Sequence, residues 1–414
     1  MKLYFLFALL VSNVALGEAI SEQNLQELVA RNPGIRSYTE RLKGAEEMKG
    51  RLTRSFLPKL TLSYGQEKFT TGPYYNATQP YGGINAEVNL FNSGRDSILS
   101  EKINREAEIA LIESDMARIQ VLAELRRTLS HYAYLSEVRQ ILKTALEQNE
   151  TNLEKARKRV NGGLGSNTDL LDFKQQKVQL GQELATLEFE LGVASRMIST
   201  LLGIDPKESI EINFANAHPD HADEKGFAIT GKSRLVKRAE LEQGLASLEL
   251  KRTERWWTPS VDLYAYALRF TQKEREYNPS EARNDVTLGF KFTFPIFDGG
   301  EGLRTAAATK ALARARSAEV TAKNLEIERI SQDAIKRLEL AHNLIHGSEE
   351  NVQIMNDYRQ GILSEYARGI KNSPDVLQAS QRWIEAKSRY AEVKKNYHFA
   401  RVDAIYLVEM QSGQ

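Results

Sequence analysis

Three groups of residues in this 414-residue chain have the types and spacing to do chemistry. Gly226-Phe227-Ala228-Ile229-Thr230-Gly231-Lys232-Ser233 fits the formula of a nucleotide-binding loop, in which backbone N–H groups and a lysine hold phosphates. Such a loop works between a buried apolar strand and a helix. The residues before it, His218-Pro219-Asp220-His221-Ala222-Asp223-Glu224-Lys225, cannot form that strand, so the context argues against ATP binding. His342 and His346 stand one helical turn apart and could share a metal. They lack the intervening glutamate of a zinc-protease helix and an obvious third ligand, and a solvated helix face accounts for them. His218 and His221 with Asp220 and Asp223 offer more donors but read as a linker. No nucleophile stands with a base, so the expectation is no enzyme, no cofactor and no metal.

What remains is written twice. Phe91 with Gly94 and Phe297 with Gly300 lie 206 residues apart, and Gly163 with Asp169-Leu170-Leu171 and Gly369 with Asp375-Val376-Leu377 repeat that offset. One architectural unit used twice places function in an assembled shape rather than a single pocket.

The ends and the composition narrow the class. Met1-Lys2, an apolar run from Leu3 to Leu10 and small residues to Gly17 have the pattern of a secretory signal, with the cut expected after residue 17. No stretch approaches the roughly 20 uncharged residues of a transmembrane helix. With no cysteine, neither a disulfide framework nor a lipidated N-terminal cysteine is available. Lys and Arg number 56 against 55 Asp and Glu, a balance that argues against nucleic acid as the main partner.

Four segments alternate like strands, expected over about 58–70, 81–92, 259–271 and 284–297. In the last, Val286, Leu288, Phe290, Phe292, Phe294 and Ile296 share a face opposite Thr287, Gly289, Lys291 and Thr293. The third is ambiguous, because Tyr264 and Tyr266 share a face with Asp262. Polar loops near 70–82 and 271–284 join them as hairpins. Strands of about ten residues cross a bilayer when tilted, yet a barrel needs at least about eight of them and no open edge. Four strands therefore require other subunits.

Between the strand pairs lie long helical hairpins, expected over about 95–202 and 301–410. From Gly94 to Asn161 there is neither proline nor glycine, and a helix of that span runs roughly 100 Å. The returning helices carry coiled-coil seams: Leu180, Leu184, Leu187, Leu191, Ala194, Ile198 and Leu201, and 206 residues on Ala386, Tyr390, Val393, Tyr397, Ala400, Ala404 and Leu407. Ser373-Pro374-Asp375 reads as an N-cap, a first-turn proline and a helix-start acid, with Asn167-Thr168-Asp169 as its counterpart. The repeats then span about 18–230 and 231–414, one intertwined domain, with the segments near 21–55, 203–230 and 232–256 as a belt.

These features together resemble the outer-membrane efflux protein family, the TolC-like exit ducts. The resemblance rests on Asn32-Pro33, the strand closers Leu90-Phe91-Asn92-Ser93-Gly94 and Ile296-Phe297-Asp298-Gly299-Gly300, the tips at Gly163/Asp169 and Gly369/Asp375, and Leu201-Leu202-Gly203. It implies a mixed α and β fold: a homotrimer whose four strands per chain build a twelve-stranded β-barrel in outer-membrane lipid, continued by a coiled-coil periplasmic tunnel. It further implies a passive duct of a tripartite efflux or type I secretion system, engaged by a periplasmic adaptor (membrane fusion protein) and an inner-membrane transporter of RND, ABC or MFS type.

By motif position, Asp169, Tyr366 and Lys371 look like the family's network that holds the inner coils shut; Lys371 stands where some members have arginine and loses its bidentate geometry. Asp375 looks like an aperture acid, while Gln378 departs from a second acidic ring seen in some members. Helix-start capping explains Asp169 and Asp375 equally well. The tips, Gly162, Gly163, Leu164 and Gly165 with Arg368, Gly369 and Ile370, are the expected adaptor-docking surface. A periplasmic coiled-coil adaptor or scaffold without a pore is the competing reading; it leaves the two strand hairpins unexplained.

Overall fold

The computed structural model describes residues 25–68, 78–163, 166–208, 232–270 and 284–411, together with 212, 214 and 216. The proposed signal, residues 69–77 and 271–283 of the hairpin loops, the four residues His218, Asp220, His221 and Asp223, and the phosphate-loop pattern up to Gly231 lie outside them, whereas residues 78–82, expected in the first loop, already form strand. So do Leu164 and Gly165.

In chain order the elements are α1 (Leu25–Val29), α2 (Pro33–Glu47), α3 (Arg51–Ser55), β1 (Lys59–Lys68), β2 (Thr78–Phe91), α4 (Arg95–Asn161), α5 (Asn167–Leu201), α6 (Arg234–Glu254), β3 (Ser260–Phe270), β4 (Asn284–Thr293), α7 (Glu301–Ala367) and α8 (Ser373–Glu409). The helices keep the sequence offset: α4 and α7 both have 67 residues and begin and end 206 apart. β4 stops at Thr293, short of the alternation that runs on to Ile296. Pro295 has no N–H to give a ladder. Two compact units form, each drawing on both repeats: Tyr38–Ser114 with Arg234–Leu325, and residues up to Ser37 with Asp115–Ser233 and Glu326–Gln414.

The first unit holds the sheet, antiparallel in the order β1-β2-β3-β4. Register fixes the faces. Leu62 pairs Ile84, Ile84 pairs Ala267 and Ala267 pairs Val286, so the apolar residues of all four strands fall on one side. That side is bare: Leu62 is 84% exposed, and Leu60, Tyr64, Val286, Leu288, Phe290 and Phe292 are exposed with it. The opposite face carries Thr61, Ser63, Asn85, Glu87, Asn89, Asp262, Thr287 and Lys291. Tyr264 and Tyr266 belong there too, because their partners are Glu87 and Asn85, and Asn89 Nδ2 donates to Asp262 at 2.7 Å. β1 and β4 each keep one edge unpaired among the described residues.

In the second unit the hairpins pack through their seams. Leu180, Leu187, Leu191 and Ala194 of α5 meet Leu135, Leu142 and Ala145 of α4, with Trp383 and Ile384 of α8 in the same cluster. Val393, Tyr397, Ala400 and Ala404 of α8 meet Leu338, Ala341 and Ile345 of α7. His342 is buried there, 6.0 Å from the Tyr397 ring and 5.9 Å from His346, rather than on a solvated face. The amphipathic pattern of α7 turns it inward. Leu25, Val29 and Ile35 cover Leu125, Leu129, Ile198 and Leu201. Asn32 earns its place by donating to the Leu201 carbonyl at 2.8 Å, satisfying an orphan acceptor at the end of α5.

Candidate functional site

The candidate site lies where α4 turns into α5 and α7 into α8. Both turns use a glycine with positive φ, Gly163 at 71° and Gly369 at 79°, a conformation that side chains with a Cβ resist. At the second turn Gly369 N–H bonds the Tyr366 carbonyl at 3.0 Å and Ile370 N–H that of Glu365 at 2.9 Å. This Schellman pair closes the last turn of α7 and presents Arg368, Gly369 and Ile370 outward. Gly162 is exposed beside Gly163 at the other turn.

The helix starts differ from expectation by one residue. Asn372, not Ser373, caps α8: its side chain accepts from Asp375 N–H at 3.3 Å, while the Asp375 carboxylate accepts from Asn372 N–H at 3.3 Å. Ser166 caps α5, accepting from Thr168 N–H at 3.1 Å. Released from capping, Ser373 is 0% exposed and its Oγ lies 2.6 Å from Asp169 Oδ1 and 2.8 Å from Asp172 Oδ2. One hydroxyl thus ties the first turn of α8 to the first turn of α5.

A second tie stands beside it. Tyr366, at the end of α7, is buried with its ring edge-on to Phe173 of α5 at 6.0 Å. The Arg159 guanidinium of α4 sits 5.0 Å over the same ring and donates to the Tyr366 carbonyl at 3.2 Å. Ala156, Ile362, Val376 and Ala379 complete the apolar plug around the pair. Burial pushes the Tyr366 phenol above its ordinary range; Arg159 works against that rise and Asp169 adds to it.

Of the four residues read as a gate, Asp169 and Tyr366 therefore take part in contacts between hairpins. Lys371 and Asp375 face each other at 4.0 Å on a single hairpin, and Asp375 is spent on its capping box. Sequence reasoning missed Ser373 as a cross-hairpin donor, Asp172 and Arg159. Asp172 had a signal, since it follows Asp169 by one helical turn. Among the described residues no group of three or more His, Cys, Asp or Glu is placed to hold a metal ion.

Residues 24–204 and 230–403 match the model of the outer membrane efflux protein family. The chain belongs to that family. Its members are channels rather than enzymes, and this efflux protein is accordingly an outer-membrane protein. No curated protein sequence matches it significantly. Among solved structures, the outer membrane protein VceC of Vibrio cholerae is similar at a TM-score of 0.78 and 16% identity, over 94% of this chain and 96% of that one. The Campylobacter jejuni CmeC outer membrane channel follows at 0.77 and 14%, over 95% and 87%. The open state of the Neisseria gonorrhoeae MtrE outer membrane channel gives 0.75 and 13%, over 93% and 89%. These likenesses establish the fold, mostly helical with one small antiparallel four-stranded sheet.

Proposed function

We propose that this efflux protein is the exit duct of a tripartite efflux or type I secretion system, passing substrate passively from an inner-membrane transporter across periplasm and outer membrane. The observation that carries this reading is the sheet, whose bare apolar face and two unpaired edges have no partner within the described chain. In lipid an open edge leaves backbone groups unsatisfied, which costs several kcal/mol per group. Three copies supply twelve strands and remove every edge. The apolar face then meets lipid, and the polar face with Asn85, Asp262 and Lys291 lines the bore.

The helical hairpins extend the duct inward, and their tips carry the gate. In this reading Ser373 with Asp169 and Asp172, and Arg159 with Tyr366, hold the two hairpins of each chain together while the duct is shut. Asp375 contributes one negative charge per copy near the aperture, and Lys371 partly offsets it. The turns at Gly162–Gly163 and Arg368–Ile370 are the surface offered to the adaptor's own hairpin. A pore-free periplasmic scaffold is set aside by the family match and by the bare strand face.

The test is a deletion strain complemented with the wild-type chain. Restored export, with the protein recovered in the outer-membrane fraction, supports the reading. Recovery in the soluble periplasmic fraction would overturn it.

A further inference from the structure

On the polar face of the sheet two glycines make room for tyrosines. Tyr264 and Tyr266, neighbours on that face of β3, hold their rings parallel to within 8° at 6.2 Å between centres. Their partners on β4 are Gly289 and Thr287. The Tyr264 phenol leans across onto Gly289, where a Cβ would lie 2.8 Å from its Oη and 2.9 Å from its Cζ. The same arrangement recurs on the other hairpin, where a Cβ on Gly65 of β1 would lie 3.0 Å from both Cζ and Oη of Tyr81 on β2. Glycine weakens a strand interior and marks a place where another group approaches closely. Here that group is a phenol laid along the wall.

Charge on this face is balanced. Lys59 stands opposite Glu87 and Asp262 opposite Lys291, in the two rows nearest the starts of β1 and β3. The next row is Thr61, Asn85, Tyr266 and Thr287, all uncharged. Flat rings flanked by an amide and a hydroxyl, in a wall whose opposite charges stand side by side, select for shape rather than sign. A bare ion meets little net field there, and an aliphatic chain meets too much polar surface. We propose that this row is a stacking track for planar aromatic solutes of little net charge, with Tyr264 and Tyr266 taking the flat face and Asn85 and Thr287 the polar edge. The inference rests on the duct reading, which puts this face in the bore, and adds the class of substrate. Two rings per copy hold a solute only briefly, as passage requires.

The probe is riboflavin, an uncharged planar aromatic whose fluorescence is quenched when an aromatic side chain stacks on it. It is titrated with purified full-length trimers in detergent, against protein-free micelles. Saturable quenching by the wild type is expected, weakened at least about fivefold in Tyr264→Ser/Tyr266→Ser and kept in Tyr264→Phe/Tyr266→Phe. Tyr266→Ser alone leaves the phenol on Gly289 in place and serves if the double variant forms no trimer; it too should weaken quenching while heat-sensitive trimers persist. Quenching undiminished in the serine variants, or conducting wild-type trimers that quench no more than empty micelles, would overturn the track and leave the duct standing. Wild-type protein that forms no trimer and leaves a bilayer silent would sink both.

Discussion

Replacing Ser373 with alanine should loosen the contact between the two hairpin tips, and the geometry sets the size of the effect. The hydroxyl is fully buried between the Asp169 and Asp172 carboxylates at 2.6 and 2.8 Å, and a hydrogen bond to a charged acceptor contributes about 1.5–3 kcal/mol. Both acids lie within 2.8 Å of one oxygen, hence less than twice that distance apart. At such a separation two negative charges repel by about 3 kcal/mol at an effective dielectric of ~20. The positive end of α5 offsets only about 0.3–1 kcal/mol. Removing the donor therefore costs the cross-hairpin contact about 1.5–3 kcal/mol in each chain, a shift of roughly 10- to 150-fold toward the parted state. Single-channel recording in planar bilayers reads this as longer or larger openings. Ser373→Thr, which keeps the hydroxyl, should stay near wild type, and Asn372→Ala controls for a weakened helix cap. If Ser373→Ala trimers conduct like wild type, the gate assignment fails.

The other expectations concern the membrane face, the tips and the seam. Phe290→Arg places a charge on the bare strand face, costs about 2–4 kcal/mol at the bilayer midplane, and should abolish outer-membrane trimers in a heat-migration assay; a polar bore position such as Thr287→Arg should be tolerated. Gly369→Val forces a β-branched residue to φ 79° at the exposed turn and should abolish export while trimers persist, so unimpaired export removes the docking proposal. His131 is held below its ordinary value of 6.5 by burial and then by Lys395, with Glu190 opposing. The folded chain therefore binds fewer protons than the unfolded one, and this contribution to stability is complete above pH 6.5 and shrinks as pH falls below it. Trimer melting at pH 5 against pH 7.5 should show a smaller loss for His131→Gln than for wild type.

Sequence pattern revealed the periodic parts of this molecule and little of the contacts between its hairpin tips. The common offset of 206 appears in the helix limits because both repeats use a proline-free span of the same length and the same turn glycine. Strand faces were legible wherever one side was purely apolar. They were ambiguous at Tyr264 and Tyr266, whose side is decided by pairing with Glu87 and Asn85 on a strand far away in the chain. The tip contacts were harder for the same reason. Ser373 has the type and position of a cap, and only its meeting with Asp169 and Asp172, some 200 residues away, shows that Asn372 does the capping instead. His342 shows that polarity alone misplaces a residue when an aromatic neighbour such as Tyr397 gives it a buried seat.

The central claim is that one chain cannot close its own barrel and three can. Purified protein, extracted in detergent without heating, should have the mass of three chains and should conduct ions when added to a planar lipid bilayer. A monomer that stays soluble without detergent and leaves the bilayer silent would contradict the account.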